Sequence, residues 1–332
     1  MAQATGTYSS YDITGAREEL SDVISRIDPE ETPAYTMLPK QSLKSKNPEW
    51  QTDTLAAAAS NAQIEGDEYS YAAPSATTRL KTYTQISWKT GIVSETADVV
   101  DKAGREKELT LQRLKRGVEL RRDMEYVALI NQASVAGSDT VARKTAGFPA
   151  WLTSNDSRGT SGSDGGYNTG TGVVDAATDG TQRAFTKAIL DTIHESAFKN
   201  GGDPTTLMVS PYVKTVFASF MSDANVAEFR YAAKTDGKNT IVATADVYLG
   251  HFGEIMVKTN RQMATDATSA RNALLIDPKM ASIGTLRPFV TEYPAKTGDA
   301  NKFVIKSEWA LIMKNQKAHG IAADLFGLTA ST

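Results

Sequence analysis

The side chains that most often carry out chemistry are few and scattered in this chain of 332 residues. It contains no cysteine, which excludes disulfides and thiolate metal sites. Its three histidines lie far apart in the sequence: His194, His251 and His319. The acidic residues Glu65, Asp67 and Glu68 fall in a polar, turn-like stretch, where solvated charge is more common than metal binding. We therefore predict no metal site and no cofactor.

Motifs that would assign an enzymatic reaction are absent from the sequence. It has no GxxxxGK[ST] phosphate loop, no HExxH zinc motif and no GxSxG nucleophile elbow. The glycines between 159 and 172 neither follow a clear strand nor open a helix with a lysine, so they indicate a flexible surface loop over 154–172. We predict that the chain is not an enzyme and has no catalytic residues.

The composition is typical of a folded protein with a core of its own. Hydrophobic residues make up 40% and charged residues 23% of the chain. The formal net charge of -3 leaves no surplus of Lys and Arg for neutralising phosphates, so tight nucleic-acid binding is not expected. The N-terminus is polar and no apolar run reaches about 18 residues, so we predict neither a signal peptide nor a membrane span.

The longest predicted element is a helix at about 104–134. Glu, Leu, Arg and Lys dominate this stretch, no proline interrupts it, and its one internal glycine is Gly117. Its apolar residues form two faces, which predicts packing on two sides. One face holds Leu111, Leu114, Val118 and Leu129, and the other holds Leu109, Leu120, Met124, Val127 and Ala128. The charges around these faces fit either a solvated surface or an edge that meets neighbouring subunits. We interpret this helix as the spine of the molecule.

Residues 1–46 are predicted to form an arm rather than a domain. Prolines punctuate the stretch from residue 28 onward. One short amphipathic helix is predicted at 16–27, with Leu20, Val23, Ile24 and Ile27 on one side. The segment Pro33–Leu38 has apolar anchors but no obvious local core, so we expect an extended segment that packs on something else. A frayed terminus is the alternative.

Residues 49–92 are predicted to form a long two-stranded hairpin. Residues 80–89 alternate between apolar or β-branched and polar side chains, and the outgoing strand starts at Glu49. The stretch between the two strands is small and polar. A hairpin of this kind is not stable alone in water. Either a neighbouring molecule supports it, or it covers the sheet of its own domain.

The rest of the chain alternates between helix and strand, which indicates an α+β fold. The middle region, 138–285, opens with an apolar turn at 145–152. It is predicted to contain helices at 182–200 and 211–221 and strands at 206–210, 247–249, 253–258 and 273–276. A long apolar strand at 303–314 is predicted to pair beside the spine helix. The middle region is then an insertion within the domain that opens at about residue 93.

Several segments resemble the SU10-like major capsid protein family of tailed bacteriophages. The similarity lies in Leu286–Glu292, Ala295–Asp299 and Lys314–Gly320, and Thr145–Trp151 and Gly253–Lys258 add to it. None of these motifs is catalytic, so their specificity rests on their order and spacing. The resemblance implies the HK-97-type capsid fold. It also implies a major capsid protein that assembles into the pentamers and hexamers of an icosahedral phage head enclosing double-stranded DNA.

The resemblance further implies a division of the chain into four parts. These are an N-terminal arm (1–46), an E-loop hairpin (47–92), a peripheral domain (93–137 and 286–320) and an axial domain (138–285 and 321–332). The candidate subunit-interface residues come from the arm and the hairpin: Tyr35, Trp50, Tyr69, Tyr71, Arg79, Lys81 and Tyr83.

The partners implied by the resemblance are further copies of the chain, a portal and a separate scaffolding protein. A separate scaffold is expected because no long scaffolding segment precedes the arm. A decoration protein stays open. Packaged DNA would be enclosed without sequence-specific binding, no membrane would be involved, and assembly would take place in the bacterial host cytoplasm. Two alternatives remain open: an encapsulin-like nanocompartment shell on the same fold, and an enzyme or ligand-binding α+β protein.

Overall fold

A long helix packs against one sheet, the middle region of the chain forms a second sheet, and a hairpin extends from the subunit. The computed structural model describes residue 7 and residues 24–222 and 246–327. The helices are α1 (Pro33–Met37), α2 (Glu95–Val99), α3 (Glu108–Leu129), α4 (Phe148–Trp151), α5 (Lys187–Lys199) and α6 (Pro211–Ala218). The strands are β1 (Lys40–Ser42), β2 (Glu49–Thr52), β3 (Thr78–Lys81), β4 (Gln85–Ser94), β5 (Asp156–Ser157), β6 (Gly166–Asn168), β7 (Val173–Asp175), β8 (Thr206–Val209), β9 (Val247–Gly250), β10 (Gly253–Thr259), β11 (Ala273–Ile276), β12 (Ala281–Glu292), β13 (Ala300–Met313) and β14 (Gly320–Ala322).

The spine helix α3 is shorter than the predicted 104–134. It cannot start at Gly104, which has a left-handed φ of 76°, and Lys107 still has extended backbone angles. At the other end Ile130 returns to extended backbone, with φ -81° and ψ 160°. The strong helix formers on both flanks do not outweigh these turns, because the chain must leave α3 to reach the neighbouring elements.

The two apolar faces of α3 have different surroundings. Leu120, Met124 and Ala128 of one face are buried, as predicted for a helix that packs on the core. The other face is divided, since Leu129 is buried whereas Leu114 is 62% exposed. Leu111 and Val118 of the same face are partly buried. Within this subunit, the prediction that α3 packs on both sides therefore fails at Leu114 only.

One face of α3 packs on a four-stranded sheet, which has the order β1-β12-β13-β4 within the described residues. β13 is antiparallel to both β12 and β4, and Phe303 of β13 lies opposite Gly91 of β4. A Cβ atom at residue 91 would overlap the Phe303 ring, so this row of the sheet needs a glycine. The predicted strand at 303–314 is confirmed beside the spine helix, with the bounds of β13.

The predicted hairpin over 49–92 is wrong in its second strand. β3 pairs with β2 in antiparallel fashion, with Glu49 opposite Lys81, and beyond this pair the amides of Thr82 and Thr84 donate to the carbonyls of Pro48 and Lys46. From Gln85 onward the chain changes partner, and β4 pairs with β13 over its whole length. Both β3 and β4 alternate with period 2, so their periodicity could not reveal that they belong to different sheets.

The middle region carries a mixed sheet in the order β5-β14-β11-β8-β10-β9, counted over the described residues. β8, β11 and β14 are buried throughout. Leu190 of α5 and Phe217 of α6 join Leu207 and Ile255 of this sheet in one buried cluster. The predicted mixture of helix and strand is confirmed, and α5 starts at Lys187 rather than at residue 182. No helix in the described ranges is both long and apolar enough to cross a lipid bilayer.

Two segments predicted to be irregular are folded. Within 154–172, β6 pairs with β7, and the guanidinium of Arg158 forms ion pairs with Asp156 and Asp164. The prediction of a flexible surface loop there is wrong. The segment 33–38, predicted to be extended, contains α1 and buries Leu38 in the core of its own subunit. The helix predicted at 16–27 lies mostly outside the described residues, and 24–27 are not helical.

Candidate subunit-contact surface

The segment between β2 and β3 projects from the subunit. Every residue from 53 to 77 is exposed and none of them belongs to a helix or strand. The segment includes four large apolar side chains that are 80% to 97% exposed: Leu55, Ile64, Tyr69 and Tyr71. Leaving such a side chain in water costs about 1.5–3 kcal/mol relative to burial. A run of this kind is typical of a surface that another molecule covers.

The base of the hairpin, in contrast, is fixed to the subunit. The ring of Trp50 lies 5.7 Å from that of Trp151, and its Nε1 donates to the carbonyl of Lys314 at 3.2 Å. Glu49 and Arg79 form an ion pair across the two strands at 3.4 Å. The projecting segment therefore leaves from a rigid base, which sets the direction in which it extends.

Below this base, a buried carboxylate ties the hairpin to the sheet of α3. Glu308 of β13 accepts from the hydroxyl of Thr84 at 2.7 Å, from Nη2 of Arg143 at 2.6 Å and from Nε of Arg287 at 2.8 Å. Burial opposes the ionisation of Glu308, but the hydrogen bonds from Thr84 and Arg287 and the two guanidinium charges hold its pKa below the usual value.

A second buried carboxylate holds the arm on the spine helix. Glu125 of α3 accepts from the amides of Ala34 and Tyr35 at 2.8 and 2.6 Å and from Nδ2 of Asn260 at 2.6 Å. Burial raises the pKa of Glu125, although these three hydrogen bonds oppose the shift. Next to this contact, burial lowers the pKa of Lys40 to about 8. The arm, α3 and the segment after β10 thus meet at one side chain.

The structure places the seven candidate interface residues in three environments. Tyr69 and Tyr71 lie on the projecting segment, fully in solvent. Trp50, Arg79 and Lys81 lie at the hairpin base, where Arg79 and Lys81 line one polar cavity with Glu49 and Tyr167.

The other two candidates pack within the subunit. Tyr83 is buried just below the hairpin base. Tyr35 is half-buried on the arm, with Arg121 5.9 Å from its ring centre. The interface role of all seven residues stays a prediction.

Glu125 and Glu308 are the structurally important residues that the sequence did not single out. Glu125 sits in a helix with many charges of both signs, and Glu308 sits in an apolar strand. A charge in an apolar strand is a weak signal of a buried ion pair, because such charges are seldom buried without a partner. Nothing local distinguishes Glu125 from its solvated neighbours.

The residues considered for metal or acid–base chemistry do not come together in a site. His319 is buried and desolvation lowers its pKa to about 4, and burial likewise lowers the pKa of His194. His251 is exposed, as are Glu65, Asp67 and Glu68. In the part of the chain that the structure describes, no group of three or more His, Cys, Asp or Glu side chains could hold a metal ion.

Comparison with known protein families identifies the family of this chain. The family model described as SU10 major capsid protein matches residues 3–326, which is nearly its whole length. The chain belongs to the SU10 major capsid protein family. It is therefore a phage major capsid protein, as the resemblance implied, and a component of the virion.

Individual relatives agree with this assignment. The chain is 27% identical over 353 residues to the major capsid protein of Escherichia phage Phieco32, with 98% of each chain covered. A solved chain of Mycobacterium phage Bobi matches with a TM-score of 0.60 and 13% identity, over 95% of this chain and 98% of that one. The fold is the HK97-like capsid fold, as predicted.

The encapsulin alternative shares this fold but is not favoured. The encapsulin of the holo-SrpI complex from Synechococcus elongatus matches with a TM-score of 0.55 and only 8% identity, over 96% of this chain and 95% of that one. A likeness at this identity concerns the fold alone, whereas the SU10 family model recognises the sequence. As a capsid protein of this family, the chain assembles into shells.

Proposed function

We propose that this capsid protein closes into pentamers and hexamers of an icosahedral head by laying residues 53–77 on a neighbouring copy. One observation carries the proposal: every residue of this segment is exposed in its own subunit, and four of the exposed side chains are large and apolar. A segment from one copy that meets a different surface on the next copy is a head-to-tail contact, and such contacts form rings when the rotation closes.

The energy of one such contact is modest, which suits a shell that must assemble without errors. Burying four side chains at about 1.5–3 kcal/mol each gives roughly 6–12 kcal/mol. Ordering a mobile backbone costs about 1–2 kcal/mol per residue, which offsets much of this gain if many residues become fixed. Many weak contacts per shell then add up through multivalency, and single misplaced copies can still dissociate.

The four-part division of the chain is part of the proposal. We propose an arm (1–46), an E-loop, a peripheral domain built on α3 and its sheet, and an axial domain built on the middle sheet. The pairing of β4 with β13 supports ending the E-loop at 82–84 rather than at residue 92. The pairing of β14 with β11 supports placing residues 320–322 with the axial domain.

We propose further partners for this protein from its role in a shell that encloses DNA. A separate scaffolding protein guides assembly in the bacterial host cytoplasm, a portal occupies one vertex, and a decoration protein remains an open addition. The net charge of -3 supports a shell that encloses DNA without gripping it. The protein acts by self-assembly and carries no catalytic activity.

Deleting Leu55–Ser75 tests the proposal. We expect a folded subunit with an unchanged thermal unfolding midpoint, because these residues are exposed and contribute nothing to the core. Electron microscopy and sedimentation of the variant, co-expressed with its scaffold, should show few shells or none.

A matched pair of variants separates side-chain contacts from loop length. Replacing Leu55, Ile64, Tyr69 and Tyr71 by serine should abolish assembly, whereas replacing the polar residues Asn61, Gln63, Asp67 and Glu68 by serine should not. If the deletion unfolds the chain, the segment belongs to its own core. If both serine variants assemble normally, the apolar side chains are not the contact.

A further inference from the structure

The base of the hairpin has two faces, and the core of the subunit holds one of them. In β2 and β3, Trp50 lies opposite Leu80 and Glu49 lies opposite Lys81. Trp50 and Leu80 pack against the buried cluster that contains Trp151. Because side chains alternate between the two faces of a strand, Glu49 and Lys81 lie on the opposite face. Contacts on the first face alone would let the base tilt, since a two-stranded hairpin has little stability of its own.

The turn between β6 and β7 covers the second face of the base. Side chains of both elements line a polar cavity of about 220 Å³: Glu49, Arg79, Lys81, Tyr167 and residues 169–172. The end of the Lys81 side chain lies against Gly172, so closely that a Cβ atom at residue 172 would overlap Cε and Nζ of Lys81. Gly172 also has a left-handed φ of 67°, which glycine adopts without steric cost. The approach of Lys81 to this turn therefore depends on a glycine at residue 172.

The β6–β7 turn is itself fixed to the subunit. The amide of Val174 in β7 donates to Oγ of Ser134 at 2.6 Å, and the amide of Ser134 donates to the carbonyl of Val174 at 2.8 Å. In β6, the ring of Tyr167 stacks on that of Trp151, with 6.2 Å between the ring centres and an angle of 8° between the planes. The ring of Trp151 is also the one that Trp50 of the hairpin contacts. Both faces of the hairpin base thus meet parts of the subunit that are held in place.

We propose that the β6–β7 turn and the core around Trp151 form a two-sided clamp that sets the direction in which residues 53–77 leave the subunit. Lys81 and Gly172 are its positioning residues, and their contact serves assembly rather than the stability of the fold. This inference rests on the proposed function of residues 53–77 as the contact with a neighbouring copy. A misdirected segment misses its surface on the neighbour, and the loss recurs at every copy in a shell.

Distances between spin labels on the unassembled, full-length subunit measure this direction. The natural chain has no cysteine, so Ala76→Cys beside β3 and Lys199→Cys at the end of α5 carry the only two labels. Both residues are exposed. Double electron–electron resonance should give one narrow distribution of distances in this doubly labelled chain. Lys81→Ala in the same background should broaden the distribution, because the second side of the clamp is lost.

Three further variants separate this contact from other effects of substitution. Lys81→Met keeps the stem of the side chain as far as Cε and should restore the narrow distribution. Gly172→Ala displaces the end of Lys81 and should broaden the distribution as Lys81→Ala does, with no additional effect in the double variant. Gly170→Ala is the matched control in the same turn, because a Cβ atom there meets only Oδ1 of Asn168, at 3.4 Å, and the distribution should stay narrow.

Assembly and stability complete the test. Lys81→Ala, co-expressed with the scaffold, should give a yield of shells at least about tenfold lower, because the defect recurs in every copy. Its midpoint of thermal unfolding should stay unchanged. A lowered midpoint would show that the contact stabilises the fold instead, and a narrow distribution in both Lys81→Ala and Gly172→Ala would show that the turn does not set the direction. Either result overturns the proposal, as does equal broadening in Gly170→Ala.

The distances are measured without assembly, so they distinguish this inference from the proposed function. If Lys81→Ala broadens the distribution while the variant with serine at the four apolar positions of residues 53–77 still assembles normally, the clamp is supported and only the proposed contact is wrong. If the serine variant fails to assemble while Lys81→Ala keeps a narrow distribution, the contact is supported and the clamp is wrong.

Discussion

Replacing Glu308 by alanine removes a buried carboxylate that three donors share. The variant leaves the Thr84 hydroxyl without its acceptor in a fully buried position. It also leaves the guanidinium of Arg143, whose side chain is 26% exposed, without its counter-charge. Arg287, at 47% exposure, can turn to water and loses less.

The expected cost follows from these environments. An unsatisfied buried hydroxyl costs about 1–3 kcal/mol, and a charge-assisted hydrogen bond contributes about 1.5–3 kcal/mol. The more exposed pair with Arg287 adds up to about 1 kcal/mol. These contributions add to about 2.5–7 kcal/mol. Within that span we expect Glu308→Ala to lower the free energy of unfolding by about 3–5 kcal/mol, the range measured when buried ion pairs are broken. Glu308→Gln keeps an acceptor oxygen and should cost about half as much.

Urea unfolding of the unassembled subunit measures this difference, and Glu292→Ala is its control. Glu292 pairs with Lys306 at 2.5 Å on the same sheet but is about half exposed, so its loss should cost less than about 1 kcal/mol. The pKa of Glu308 is lowered in the folded state. Its contribution is therefore present above the ordinary glutamate pKa of 4.5 and is lost as the pH falls through the folded value. Equal costs for Glu308→Ala and Glu292→Ala would refute the reasoning.

Three further predictions rest on other buried or open positions. Because burial raises the pKa of Glu125, the natural chain should lose stability as the pH rises from 4.5 through the folded value, and Glu125→Gln should lack this loss in urea titrations. Leu114→Asp should change the unfolding free energy by less than about 0.5 kcal/mol, whereas Leu120→Asp should cost several kcal/mol. Gly117→Ala should stabilise α3 by about 0.5–1 kcal/mol, because a Cβ there meets no neighbouring atom. Gly147→Ala should destabilise the subunit, because its Cβ would overlap the Ile130 carbonyl, and calorimetry can measure both effects.

Each of these three predictions would be contradicted by one result. A pH dependence that Glu125→Gln does not alter would mean that another group titrates. Similar effects of aspartate at Leu114 and Leu120 would contradict the difference in burial between the two faces of α3. Similar effects of alanine at Gly117 and Gly147 would contradict the close approach of backbone at Gly147.

Local sequence patterns were sufficient to predict a helix or strand wherever its own side chains determine its structure. The spine helix, the strands of the middle sheet and the long strand after residue 300 all show their periodicity within a short window, because a helix or strand needs one continuous apolar face. The family resemblance rested on short motifs of the same local kind, and the match to residues 3–326 confirmed it.

The elements whose prediction was wrong depend on partners that are distant in the sequence. β3 and β4 share one alternating pattern, and only the distant β13 separates them by pairing with β4. Gly104 and Ile130 end α3 inside a stretch of strong helix formers. The segment 33–38 becomes helical because Glu125, about ninety residues away, accepts from its first amides.

The amino-acid sequence alone therefore determined the class of protein, the family and most of the elements, because periodicity, composition and motif order are properties of neighbouring residues. Only the tertiary structure decided which carboxylates are buried and which apolar side chains remain in water. Thr84 and Glu308 are 224 residues apart, and a contact over that distance leaves no trace in either local pattern. Likewise, the sequence shows which apolar side chains could be buried, but only the fold shows that residues 53–77 and Leu114 remain exposed.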